Sequence, residues 1–282
     1  MARKRATLTD LLNNLTFKVM YDKVRLLSMN QHTWGNLPDG IQERHIERVL
    51  FDKGMAGFYR KPKHGFMCLE AQNGVGVNPY GDPLAYTMHG FNVMDRVNAD
   101  DCVIIENNML RLATQDFVLF YVNKLAEAER TMDVNVKACK TPVIFACDDK
   151  DLLSFKRMFQ QVDGNTPALF VDRGLNLDSI QAFLTGVKFM GNELMDYKHS
   201  VEADLLTFLG INNPAVDKKE RLITDEANSN NQLISSFAEL QLEARKRACE
   251  AINAKWSLNI TVERRQPEAV DNPVESEENE DV

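Results

Sequence analysis

Apolar residues recur at helical spacing in several stretches of the chain. In residues 1–30, Leu11, Leu12, Leu15, Val19 and Leu26 predict a first helix. The turn Trp34-Gly35-Asn36-Leu37-Pro38-Asp39-Gly40 separates it from a second, Ile41 to Lys53, stopped near Gly54. From Phe58 to Asn108 the pattern becomes irregular and strand-rich. Phe66–Leu69 and Cys102–Ile105 are the clearest strands, with a Gly/Pro-rich loop at 73–83 between them. Phe117, Tyr121, Leu125, Ala128 and Met132 then mark a long helix over 115–137. A strand–helix–strand unit follows, with strands at Pro142–Ala146 and Pro167–Val171 and a helix at Leu152–Gln161. Val187, Met190, Leu194, Tyr197, Val201, Leu205 and Phe208 mark a second long helix ending at Gly210.

Residues 212–232 are almost purely polar and predict a loop, too long for a simple connector in a compact domain. A further helix is expected from about Gln232 to Lys255, with Ser229 or Asn230 as its N-cap. A strand is expected at Leu258–Val262. At 1.5 Å per residue the two long helices would reach roughly 30–35 Å. That length suits an α+β, mainly helical and elongated subunit; the plainer reading is two core helices of an ordinary globular domain.

Charge changes the picture. The 282 residues contain 33 Lys and Arg against 41 Asp and Glu, a net −8. Residues 266–282 hold seven of those acids (Glu268, Asp271, Glu275, Glu277, Glu278, Glu280, Asp281) and no base, too polar to fold and expected to be disordered. The remaining body has 33 bases against 34 acids, a net −1. A protein that grips DNA tightly carries a basic excess, so contact with DNA should be light. Two basic clusters stand out. Arg3, Lys4 and Arg5 form one near the start, and Lys218, Lys219 and Arg221 form the other, inside the polar loop.

Catalytic signatures are missing. The five cysteines and five histidines are dispersed, without CxxC or paired-His spacing, which fits reduced thiols and no zinc. Gly186–Gly191 resembles a phosphate loop, but Asn192-Glu193 stand where Lys and Ser/Thr are required, and the stretch reads as helix. Gly74-Val75-Gly76 reads as a turn. The acidic groups Asp100-Asp101 and Asp148, Asp149 and Asp151 sit at element boundaries, where Asp caps helices and closes turns. No metal, cofactor or enzymatic activity is expected. Neither a signal peptide nor an apolar run of about 18 residues is visible, so assembly in a cytoplasm without a membrane is expected.

A resemblance sharpens this reading. Thr207-Phe208-Leu209-Gly210-Ile211-Asn212, Lys218 to Glu226, and Ala248-Cys249-Glu250-Ala251-Ile252-Asn253 closely resemble the portal (upper collar, head–tail connector) proteins of small short-tailed bacteriophages. Matching fragments lie upstream in order: Met1 to Arg5, Asn36-Leu37-Pro38, Gly57-Phe58-Tyr59, Val103 to Asn108 and Lys140-Thr141-Pro142-Val143. The resemblance implies an N-terminal arm and wing with short strands (1–114) and stem helices at 115–139 and 187–210. It further implies a small α/β narrow end or clip (140–186), a channel loop (211–230), a wide-end or crown helix and strand (231–265), and the acidic tail (266–282). Function would follow: a homododecameric ring at one capsid vertex of the virion, the conduit for DNA packaging and ejection. Its partners would be copies of itself, double-stranded DNA, the major capsid protein, a packaging ATPase and a lower collar or tail protein. Lys218, Lys219 and Arg221 would point at passing DNA, and Lys188 and Lys198 of the second stem helix would be candidates for the bore. In relatives the basic N-terminus, here Arg3, Lys4 and Arg5, is associated with the motor or a packaging RNA. The competing readings are another ring-forming adaptor or scaffold, or a Mg²⁺-dependent nucleic-acid enzyme using Asp148, Asp149 and Asp151.

Overall fold

The computed structural model describes residues 8–140, 143–146, 181–184, 188–212 and 224–265. The chain divides into two compact units, one of Met1–Ala126 with Ser200–Val282 and one of Glu127–His199. Both are α+β. Among the described residues no helix is long and apolar enough to cross a membrane.

In the first unit, helix α1 (Leu8–Met29) leads into strand β1 (His32–Gly35) and helix α2 (Glu43–Lys53). Gly54 ends α2 in the left-handed region (φ 81°), its N–H bonded to the Leu50 carbonyl at 2.9 Å, as the sequence predicts. Five antiparallel strands follow: β2 (Met55–Lys61), β3 (Gly65–Asn73), β4 (Ala85–His89), β5 (Met94–Asn98) and β6 (Cys102–Glu106). Their order across the sheet is β5-β4-β3-β2-β6. Although β5 is three strands from β2, the Tyr59 hydroxyl donates to Asp95 Oδ2 at 2.7 Å and Lys61 Nζ reaches the same carboxylate at 2.7 Å. The sheet must therefore curl until its edge strand faces β2, towards a small barrel.

The two faces of β2 serve two cores. Phe58 faces Ile46, Leu50, Ile105, Ala248, Cys249 and Ile252, joining the sheet to α2 and to the long helix α5 (Thr224–Trp256). Tyr59, on the other face, packs with Ala71, Tyr86, Met88 and Cys102 inside the curl. A third core joins Val24 of α1 and Phe51 of α2 to Val118, Val122 and Leu125 of helix α3 (Thr114–Lys140), and to Val201, Leu205 and Leu209 at the end of helix α4 (Gly191–Phe208). The chain closes with β9 (Thr261–Arg264), paired antiparallel with β1.

The second unit contains the rest of α3, the start of α4 and an antiparallel pair, β7 (Val143–Ala146) with β8 (Gln181–Leu184). The expected helix Leu152–Gln161 and strand Pro167–Val171 lie outside the described residues. Asn135 of α3 clamps the approach to α4: its amide donates to the Lys188 carbonyl at 2.9 Å and its Oδ1 accepts the Met190 N–H at 3.0 Å.

Three expectations need correction. The second long helix starts at Gly191 rather than Val187, because the Asn135 clamp takes up backbone groups at Lys188 and Met190. Lys188 thus precedes the helix. Helix α5 begins at Thr224, not Gln232, so the end of the expected channel loop is helical and Ser229 and Asn230 are not its caps. The last strand starts at Thr261 instead of Leu258. Ser257 is left-handed (φ 55°), and Ile260 is held through both backbone groups by the Asn253 side chain at 2.8 Å, not by a strand partner.

Candidate functional site

The residues singled out by the sequence fall in three places. Arg3, Lys4, Arg5, Lys218, Lys219 and Arg221 lie outside the described residues, as do Asp148, Asp149 and Asp151. What is described is how the 213–223 segment is framed. Its flanking helices, the end of α4 (Val201, Leu205) and α5 (Leu242, Ala248, Ile252), are packed into cores of the first unit. Lys188 is exposed on the stretch before α4. Lys198, on α4, is bonded to Glu129 of α3 at 2.6 Å, which offsets its charge. Among the described residues Lys188 has no acidic partner, whereas Lys198 is offset by Glu129.

The strongest electrostatic feature was not foreseen. Arg245 of α5 and Glu47 of α2, each almost fully buried, form a bidentate pair: Nε to Oε1 at 2.9 Å and Nη2 to Oε2 at 2.8 Å. Trp34 Nε1 donates to the same Oε1 at 2.9 Å. The guanidinium also reaches Asn107 Oδ1 at 3.3 Å and the Gln241 carbonyl at 3.1 Å. Asn107 in turn donates to Thr114 Oγ1 at 2.8 Å, at the start of α3. One network thus ties α5 to β1, α2 and the head of α3. Burial alone would raise the Glu47 pKa, but the Arg245 charge and its hydrogen bonds outweigh that and hold the carboxyl well below the usual carboxylate range. Such a pair fixes geometry rather than performing chemistry.

His32 lies against this pair, Nδ1 3.8 Å from Glu47 Oε2. Burial, then the Arg245 charge, push its pKa down despite Glu47, so the folded state holds it neutral. A depressed histidine contributes stability that is complete above its unfolded pKa of about 6.5 and is lost progressively as pH falls from there through its lower folded pKa. His45 shifts in the same direction, through burial and then Arg48. Glu47 adds a second loss below about 4.5, where the unfolded chain takes up protons that the folded carboxylate refuses. The urea midpoint should therefore fall between pH 8 and pH 5.5, and fall further below pH 4.5. His32→Gln should flatten the first decline, leaving the His45 part. A midpoint independent of pH over that range would contradict this assignment.

Among the described residues no group of three or more His, Cys, Asp or Glu is placed to hold a metal ion. Asp101 accepts from Asn98 at 3.2 Å, and the Asp100 carbonyl from Lys255, as residues closing a turn do. Burial, the first of its influences, pushes the Cys68 thiol up to about 12 and the Cys102 and Cys249 thiols up to about 11, away from nucleophilic character.

Comparison with known proteins identifies a family. The family model described as Phage Connector (GP10) matches residues 3–268, nearly the whole chain. Similar solved structures include the portal and tail of bacteriophage P68, at 16% identity and TM-score 0.49 over 94% of this chain and 93% of that one. An HK97-family portal protein from Corynebacterium diphtheriae aligns at 9% identity and TM-score 0.45, over 94% and 96% of the two chains. A component of the neck of a native gene transfer agent particle, computed with C12 symmetry, aligns at 9% identity and TM-score 0.48, over 89% and 79%.

Proposed function

Because the chain belongs to the phage connector (GP10) family and is a structural, portal-type subunit of the virion, we propose that twelve copies form a ring at one capsid vertex through which double-stranded DNA enters and leaves. The observation that carries this reading is the family match over residues 3–268. The ring gives the capsid shell, the packaging ATPase and the lower collar or tail a common attachment point, and the protein itself does no chemistry. Arg3, Lys4 and Arg5 are the contact for the motor or, where the phage has one, a packaging RNA.

Charge supports light contact with DNA. A body of net −1 cannot hold the duplex at every phosphate, which would stall sliding. Guidance comes instead from Lys218, Lys219 and Arg221, carried on a segment between two anchored helices and repeated around the ring. Lys188 adds an open charge; Lys198 adds less, because Glu129 offsets it. Native mass spectrometry and electron microscopy of the purified protein test the assembly. A ring with a central bore is expected, and a stable monomer at micromolar concentration would refute it.

The double substitution Lys218→Ala, Lys219→Ala tests the loop. Rings should form normally, while particles packaged with them should leak DNA and retain fewer full-length genomes. Unchanged genome retention would remove these residues from the mechanism.

A further inference from the structure

A second basic surface lies on the hairpin between β2 and β3. Arg60-Lys61-Pro62-Lys63-His64 holds three cations and a histidine with no acid, and the turn is tight, with Lys63 at φ 70° and the His64 N–H bonded to the Lys61 carbonyl. Beside it opens a cleft of about 450 Å³ lined by Arg60, Lys61, Arg96 and Lys255, against Asp95 and Asp101. Asp95 neutralises Lys61. Arg60 stands 5.8 Å above the Phe66 ring and Lys255 5.2 Å from the Trp256 ring, while Arg60, Lys63 and Arg96 have no carboxylate partner among the described residues. The result is an aromatic-floored, positively charged recess on a body that is otherwise close to neutral.

We propose that this recess is the docking site of the chain's own acidic C-terminal segment, residues 266–282. The charges are complementary, with seven acids and no base facing cations that lack acidic partners. The arginines nearest in sequence are already engaged: Arg265 pairs with Glu43 at 2.6 Å, and Arg264 donates to the Gly210 carbonyl. Reach is ample. Seventeen residues extend up to about 55 Å, whereas a body of roughly 200 residues has a radius of gyration near 16 Å. Tethering at Arg265 places the segment at an effective concentration of order millimolar, so weak ion pairs suffice. The same tether favours the segment over free DNA, which would have to compete for the site.

Two measurements test this. In the full chain, carbodiimide coupling should join carboxylates of Glu268–Asp281 to Lys61, Lys63 or Lys255 at about 0.02 M salt but not at about 0.5 M. Coupling to other lysines alone, or none, would overturn the proposal. A labelled peptide of residues 266–282 should bind a chain truncated after Arg265, and bind about tenfold more weakly (about 1.4 kcal/mol) to the truncated Arg60→Glu, Arg96→Glu variant. Circular dichroism verifies that the variant folds. Equal binding to both truncated chains would also overturn it. So would a DNA duplex that binds the full chain through Arg60 and Arg96 with an affinity unchanged by removing the tail, since the recess would then serve nucleic acid.

Discussion

Replacing Glu47 with Ala should cost about 3–5 kcal/mol of folding stability, the largest loss expected from a single side chain here. The reason is what remains behind. Arg245 would keep its charge in a site where only amide and carbonyl oxygens face it, and Trp34 Nε1 would lose its acceptor. Arg245→Met should be comparably damaging, leaving a buried carboxylate that escapes only by taking up a proton. The double variant Glu47→Leu, Arg245→Met should recover much of either loss, because two apolar side chains need no partner. A double-mutant cycle on urea unfolding at pH 7.5 measures this. Additive losses would mean that the pair is not coupled, against the bidentate geometry.

That pair also marks where reading the sequence stops. Glu47 and Arg245 are 198 residues apart, each on a helix that carries other charges, and nothing local distinguishes them from solvated residues. Helices α2 and α3 were legible because one face is apolar at the helical period; in α1 the period was legible but the face was not, since Leu15, Val19 and Leu26 are exposed and Phe17, Tyr21 and Val24 pack into the core. The start of α5 was not. Thr224-Asp225-Glu226-Ala227-Asn228-Ser229-Asn230 has no apolar stripe, and the usable signal was the acidic first turn, Asp225-Glu226. Strand β2 was hidden for the opposite reason: it is buried on both faces between β3 and β6, so it lacks the alternation that betrays a half-exposed strand. Of the candidate site, the loop cations were visible as composition. The hairpin Arg60–His64 is equally visible as composition, but it interrupts a strand pattern instead of sitting in a long polar loop, so its sequence does not mark it as a surface of its own.

Gly210→Ala should be among the most disruptive small-to-small changes, costing about 2–5 kcal/mol from two separable causes. The first is conformational: Gly210 is left-handed (φ 71°) and closes α4 in a Schellman motif, its N–H bonded to the Thr207 carbonyl at 3.0 Å and the Ile211 N–H to the Leu206 carbonyl at 2.9 Å. The second is steric. A Cβ there would lie 2.6 Å from the Ala238 nitrogen, and the backbone of α5 cannot rotate out of the way. Gly40 separates the two, since it has a similar φ of 86° but nothing within 4 Å of its would-be Cβ. Gly40→Ala should therefore cost about 1 kcal/mol, the backbone part alone. Equal losses at the two positions would mean that the α4–α5 contact is soft. The difference has a functional reading as well. Residues 213–223, which include Lys218, Lys219 and Arg221, lie in sequence between these two helices, so pushing α4 off α5 would shift the ends to which they are joined. Gly210→Ala should then impair genome retention even under conditions where the ring still assembles, whereas Gly40→Ala should leave retention intact.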